Sequence, residues 1–166
     1  IRGMEQTYLE TGVSFDKVYF ESAIYESGRS IVLQGLRKGI FEKLDDGAII
    51  ARLEPHGLSD KIVLRSDGTS VYITQDIALA QKRFEELHWN RMEYVVANEQ
   101  NLHFQQLFKI IELLGLDWAN KLHHVCYGLV HLPEGKMKSR EGKGVDADEL
   151  VAELKQLALE EIKKRY

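Results

Sequence analysis

Residues 93–131 read EYVVANEQNLHFQQLFKIIELLGLDWANKLHHVCYGLVH, and their rhythm decides the fold. The apolar run 93–97 has strand length. Over 102–114, Phe104, Leu107, Phe108, Ile111 and Leu114 recur at the spacing of one helix face, and Gly115 stands where a left-handed cap closes the helix. A second strand is expected over 123–131, carrying Val125, Tyr127, Leu129 and Val130. Strand, helix and strand in that order predict two parallel strands with a right-handed crossover. Ligands of such sheets bind beyond the carboxyl ends of the strands. Two segments therefore become candidate binding loops: Asn98-Glu99-Gln100 and the stretch after His131.

Working outward, an amphipathic helix is expected over 74–87, with Ile77, Ala80, Phe84 and Leu87 on its inner face. Downstream, Asp146-Ala147-Asp148-Glu149 has the pattern of a capping box, in which carboxylates satisfy free backbone N–H groups. The helix it opens continues through Leu150, Leu154, Leu157, Ala158 and Ile162. The first third reads differently. A helix over 1–13, a strand over 18–21 and a helix over 29–38 closed by Gly39 precede a hairpin, 41–44 and 48–53, about Asp45-Asp46-Gly47. A third strand, 61–65, ends at Ser66-Asp67-Gly68. The expected class is α/β with a small antiparallel β insertion near the N-terminus. The expected division is a helical and antiparallel region, 1–70, followed by the parallel-strand region, 71–166.

The composition fits a packed core: 166 residues, 44% hydrophobic, with 2 prolines and no Gly/Ser-rich run. The single cysteine, Cys126, excludes an internal disulfide framework and suits a reducing, cytoplasmic location. No stretch is apolar enough to span a membrane, and Ile1-Arg2-Gly3-Met4 lacks the core of a signal peptide. A net charge of −4 argues against a surface devoted to nucleic acid, though a local basic loop can still meet phosphate.

Such a loop is present. Residues 132–144 hold three glycines and four cations, Lys136, Lys138, Arg140 and Lys143, a composition suited to closing over a polyphosphate. Its position after a buried strand, in a crevice location, favours that reading; the plainer one is a solvated surface loop. Tyr72 and Asp76, four apart at a helix start, share one face. A carboxylate among apolar neighbours needs a partner, and a planar guanidinium covered by the Tyr72 ring would supply one. The alternative is an acidic residue favouring the helix dipole. Asn98 to His103 could read a ligand or cap a helix, with Asn101 the cap candidate. His123, His124 and Cys126 do not make a metal set, because neighbours on a strand point to opposite faces and no second cluster completes it. No Gly-x-x-x-x-Gly-Lys loop, Gly-x-Gly-x-x-Gly fingerprint or Gly-x-Ser-x-Gly elbow occurs.

Five segments in order, Arg65-Ser66-Asp67-Gly68-Thr69, Tyr72-Ile-Thr-Gln-Asp-Ile-Ala78, Gln100-Asn-Leu-His103, His124-Val-Cys-Tyr-Gly-Leu-Val130 and Met137-Lys-Ser-Arg-Glu-Gly142, resemble the arginyl-tRNA synthetase family of class I aminoacyl-tRNA synthetases. The resemblance runs from about Tyr19 to the last helix. It implies the second half of a Rossmann-like nucleotide-binding catalytic domain. It also implies arginine as substrate at Tyr72, Asp76 and Gln100, with Asp76 receiving the guanidinium. ATP would be met by His103, Tyr127, Gly128, Leu129, Val130 and Met137, the strand backbone reading adenine. Lys136, Lys138 and Arg140 would be the catalytic cations of the signature loop. The implied reaction forms arginyl-adenylate and then charges tRNA(Arg), whose presence the family needs for the first step. Mg2+ would accompany ATP, with no protein ligand for it identified.

Two departures qualify the resemblance. Where the usual Lys-Met-Ser-Lys-Ser signature places its second lysine, this chain has Ser139, with Lys138 and Arg140 on either side. The His-x-Gly-His motif that binds ATP in class I enzymes does not occur here. The expectation is therefore a catalytic-domain piece, inactive alone, whose uncovered sheet makes it self-associate. A non-catalytic paralogue or a binding module for arginine or an adenylate is the alternative.

Overall fold

A computed structural model describes residues 2–129, 131–132, 135–136 and 146–165. The chain forms two compact units, Tyr19–Gly128 and, separately, Ile1–Val18 with Leu129–Tyr166.

The larger unit opens with a 3-10 turn, Glu21–Ala23, and helix α2, Tyr25–Arg37, after helix α1, Arg2–Glu10, of the smaller unit. Strands β1 (Glu42–Lys43), β2 (Ile49–Ala51) and β3 (Lys61–Leu64) form an antiparallel sheet in that order. Its first turn uses Gly47 at φ 93°, a left-handed geometry open to glycine without strain. Helix α3 (Tyr72–Leu87), strand β4 (Met92–Ala97), helix α4 (Asn101–Leu113) and strand β5 (Leu122–Tyr127) follow. Strands β4 and β5 pair in parallel from Met92↔Leu122 to Ala97↔Tyr127, with α4 as their crossover. The α/β class, the parallel pair and the antiparallel insertion are as the sequence led us to expect.

Helical periodicity places the core. Ile73 and Ile77 of α3 and Leu107, Ile110 and Ile111 of α4 are fully buried with Val32 of α2, Val63 of β3 and Leu53 of the loop after β2. Thr74, also fully buried, donates its hydroxyl to the Val63 carbonyl and so fastens α3 to β3. Gln106 of α4 donates to the Ser59 carbonyl at 2.8 Å. The neighbouring Asp60 accepts from the Leu53 and Glu54 N–H groups and from Arg52. Hydrogen bonds from Arg52 hold the carboxyls of Asp60 and Glu42 below the usual carboxylate range. Helix α3 is thereby tied to β3, and α4 to the loop that leads into that strand.

In the smaller unit, α1 meets α5 (Ala147–Arg165) through the Thr7 hydroxyl on Asp148 Oδ1 at 2.7 Å and Lys155 beside Glu10 at 3.7 Å. Asp146 caps α5, its Oδ1 accepting from the N–H groups of Asp148 and Glu149. Leu150, Leu154, Leu157 and Ile162 are exposed. Strands β6 (His131–Leu132) and β7 (Gly135–Lys136) form an antiparallel pair.

Four expectations need correction. Residues 18–21 are not a strand: among the described residues no ladder partner reaches them, and Tyr19 is held instead by Glu86 at 2.7 Å, with the Arg83 guanidinium over its ring at 5.3 Å. Helix α2 begins at Tyr25, one turn before the expected Arg29. The strand expected over 123–131 ends at Tyr127, because β4 turns away after Ala97 and leaves β5 nothing to pair with. Leu87 is exposed where α3 ends, at the left-handed His88.

Two substitutions probe this packing. An ideal Cβ on Gly28 would lie 2.7 Å from the Thr74 carbonyl oxygen, a backbone atom that cannot step aside. Helix propensity alone favours Gly28→Ala by about 1 kcal/mol. Steric contact reverses the sign, and we expect a loss of about 1–3 kcal/mol in urea unfolding. Tyr94 packs its ring on Phe104 and Phe108, and its buried hydroxyl finds no hydrogen-bond partner among the described residues. Burial pushes that hydroxyl up to about 12 from 10.0, the Asp76 charge adding to the rise and Arg83 opposing it. Above the unfolded value the denatured chain loses this proton first, so stability is full below about pH 10 and falls toward about pH 12. Tyr94→Phe should match or exceed the wild-type urea midpoint at neutral pH, by up to about 1 kcal/mol, and lose less stability at alkaline pH.

Candidate functional site

The turn after β3 sets one side of the site. Gly68 N–H donates to the Arg65 carbonyl and Arg65 N–H to the Thr69 carbonyl, while Asp67 accepts from both the N–H and the hydroxyl of Thr69. Those bonds hold the Asp67 carboxyl below its usual range. This tight turn delivers the chain into α3 and brings Arg65 beside Tyr72. Lys61, Arg65, Tyr72 and His103, with apolar neighbours, line an open pocket of about 400 Å³.

Helix α3 presents Tyr72, 80% exposed, and one turn later Asp76, whose side chain is 36% exposed. The carboxylate has a partner that sequence periodicity could not supply. His103 Nε2, on α4, lies 2.7 Å from Asp76 Oδ2, and the imidazole side chain is only 18% exposed. A carboxylate only accepts, so Nε2 carries the proton and donates. The two residues are 27 positions apart in sequence; they meet because Thr74 fixes α3 and Gln106 fixes α4.

Gln100 ends the 3-10 turn Asn98–Gln100 at the carboxyl end of β4 and is exposed. It precedes His103 by one helical turn. Asn101 is not a side-chain cap: its N–H donates to the Asn98 carbonyl, and α4 runs on directly from the 3-10 turn. At the matching end of β5, Tyr127 and Gly128 are exposed. Tyr127 lies in register with Ala97, so the carboxyl ends of both strands reach one sheet edge. Leu129 follows, in the other compact unit. Lys136 lies in β7; Val130, Met137, Lys138, Ser139 and Arg140 lie outside the described residues. His124 donates through Nε2 to the Val96 carbonyl at 2.9 Å and packs its ring 4.4 Å from that of Phe104, a structural role within the sheet. Among the described residues no three His, Cys, Asp or Glu side chains converge as a metal set.

The sequence reading thus placed Tyr72, Asp76, Gln100 and His103 in one region without pairing Asp76 to His103. It gave no site role to Lys61 or Arg65. For Arg65 the signal was available in the short turn linking β3 to α3, which forces its flanking residues together; for Lys61, at the other end of β3, the sequence offered none.

The chemistry of this region has relatives. The family model for tRNA synthetases class I (R), catalytic domain, matches residues 2–166. The chain is 51% identical over 164 residues to the arginine–tRNA ligase of Treponema denticola, covering 99% of this chain and 28% of that protein. It is 53% identical over 152 residues to that of Bacteroides fragilis, covering 92% and 26%. Among solved structures, Thermus thermophilus arginyl-tRNA synthetase superposes with a TM-score of 0.76 at 20% identity, over 97% of this chain and 33% of that one. The Plasmodium falciparum enzyme gives 0.63 at 26% identity, over 77% and 22%. The chain therefore spans little more than a quarter of the curated relatives it matches. Within that span, motif order, fold and identity agree: the chain belongs to the class I arginyl-tRNA synthetase catalytic-domain family.

Proposed function

We propose that the chain is the second half of the catalytic domain of an arginine–tRNA ligase, and that Asp76 receives the guanidinium of the substrate arginine. The observation that carries this is a carboxylate, its side chain 36% exposed, one helical turn along α3 from an exposed aromatic ring that lines a pocket together with its partner His103. A guanidinium meets a carboxylate bidentately and stacks on an aromatic face. Gln100, at the sheet edge, is the third arginine-binding group.

In this reading ATP lies across the carboxyl ends of the parallel strands. His103, Tyr127, Gly128, Leu129, Val130 and Met137 contact it, and Lys136, Lys138 and Arg140 neutralise charge on its phosphates. The arginine carboxylate attacks the α-phosphate, pyrophosphate leaves, and the arginyl group passes to the terminal adenosine of tRNA(Arg). No covalent bond to the protein forms, so the chain contributes by positioning and by electrostatic stabilisation. Any Mg2+ would arrive with the nucleotide. The family supports ATP as substrate, and no helix among the described residues is long and apolar enough to cross a membrane.

In the full-length polypeptide, Asp76→Ala is expected to raise the arginine KM by about 100-fold or more, leaving that for ATP much closer to wild type. An unchanged arginine KM would remove Asp76 from the pocket. The 166-residue chain alone should give no ATP–pyrophosphate exchange with arginine and tRNA; robust exchange would refute its incompleteness. Val95, Val125 and Tyr127, exposed on the sheet face away from α4, should also make the isolated chain self-associate. A monodisperse monomer at high concentration in sedimentation would count against that.

A further inference from the structure

The hydrogen bond between His103 and Asp76 bears on how the carboxylate is kept ready for a cation. Its geometry fixes a proton on Nε2, and two charge states satisfy it. With a neutral imidazole the pair carries one negative charge. With an imidazolium it carries none. A carboxylate has about four lone-pair sites, so a single Nε2–H donor on Oδ2 leaves the remainder for a ligand. The mostly buried imidazole and the half-exposed carboxylate fit that division, one side of Asp76 being held by protein and the other left open.

We propose that His103 is a positioning residue for the substrate guanidinium: as a neutral Nε2–H imidazole it orients the Asp76 carboxylate and preserves its charge, and its protonation cancels that charge and weakens arginine binding. This rests on the reading of Asp76 as the guanidinium receiver. It gives His103 a task toward arginine that is separate from any contact with the nucleotide.

Other charged and titratable groups surround the pair. Lys61 of β3 and Arg65 of the following turn share the pocket with His103 and Tyr72. Arg83 lies further along α3, Glu99 on the turn before α4, and Tyr94 on β4 feels the Asp76 charge. Lysine, arginine and glutamate are side-chain types that keep one charge between about pH 5.5 and 8. Tyr94, pushed up to about 12, stays protonated there. His124 of β5 is the other imidazole in the neighbourhood, two rings away across Phe104. A pH effect must therefore be assigned between His103 and His124.

The test is calorimetric titration of the full-length polypeptide with arginine at about pH 8 and about pH 5.5. The wild type should bind about 10- to 100-fold more weakly at the lower pH. His103→Gln, which can offer an amide N–H without a titrating ring, should bind near wild type at the higher pH and lose most of the pH dependence. His103→Ala should bind about 10-fold more weakly at the higher pH, also with little pH dependence. His124→Gln should keep the wild-type profile. Nitrogen NMR of wild-type His103 at about pH 8 should show the proton on Nε2, a readout that needs no variant. A proton on Nδ1, wild-type affinity in His103→Ala, or a full pH dependence in His103→Gln would each overturn the proposal. If Asp76→Asn abolishes binding while the His103 variants bind as wild type, the His103 inference alone fails. If Asp76→Asn binds as wild type, the arginine reading fails with it.

Discussion

The buried Thr74 is the junction on which the larger unit depends. Its hydroxyl bonds the Val63 carbonyl of β3, and its own carbonyl sits against Gly28 of α2 so closely that no side chain fits between them. One residue thus fixes the position of α3 against a sheet and against a helix. A buried hydroxyl without a partner would be costly, so the Val63 bond is required as well as useful. From this junction the rest follows in order. Ile77 and Ala80 carry the α3 face onto the core, Leu107, Ile110 and Ile111 bring α4 against it, and the crossover sets β5 beside β4.

Much of this was legible because it is local. The repeat of Phe104, Leu107 and Ile111 with Gly115 behind it defines α4 within a residue or so, and Gly115 adopts the positive φ its cap position demands. Asp45-Asp46-Gly47 announced its hairpin for the same reason. The failures are equally physical. A short β-branched and aromatic run such as 18–21 becomes a strand only if another strand lies beside it, and the composition of the run cannot say so. The end of β5 was misjudged because it is set by where β4 stops. The pairing of Asp76 with His103 depends on two helices being anchored separately, through Thr74 and Gln106, to β3 and the loop that leads into it, which precede both in sequence. Periodicity within a helix carries no information about such a meeting.

The resemblance to a known family compensates for part of this, since motif order records long-range contacts that a single helix cannot. It still named Asp76 and His103 as separate binders of separate ligands. Their hydrogen bond joins what the motifs list apart: the group proposed for arginine and a group proposed for ATP share a proton. That coupling is a property of the fold.

The proposed ligands also divide by how they are held. Recognition of a guanidinium is a matter of direction, since a planar fork must meet a carboxylate edge-on within a few tenths of an ångström. The residues assigned to it, Tyr72 and Asp76 on α3 and Gln100 at the start of α4, sit on or beside helices anchored by buried bonds. Recognition of a polyphosphate is chiefly a matter of charge, which falls off slowly with distance and tolerates several geometries. Its assigned cations, Lys136, Lys138 and Arg140, lie in a stretch with glycines at 135, 142 and 144. An acidic residue moved by one place from Asp76 would swing about 100° around α3, away from His103.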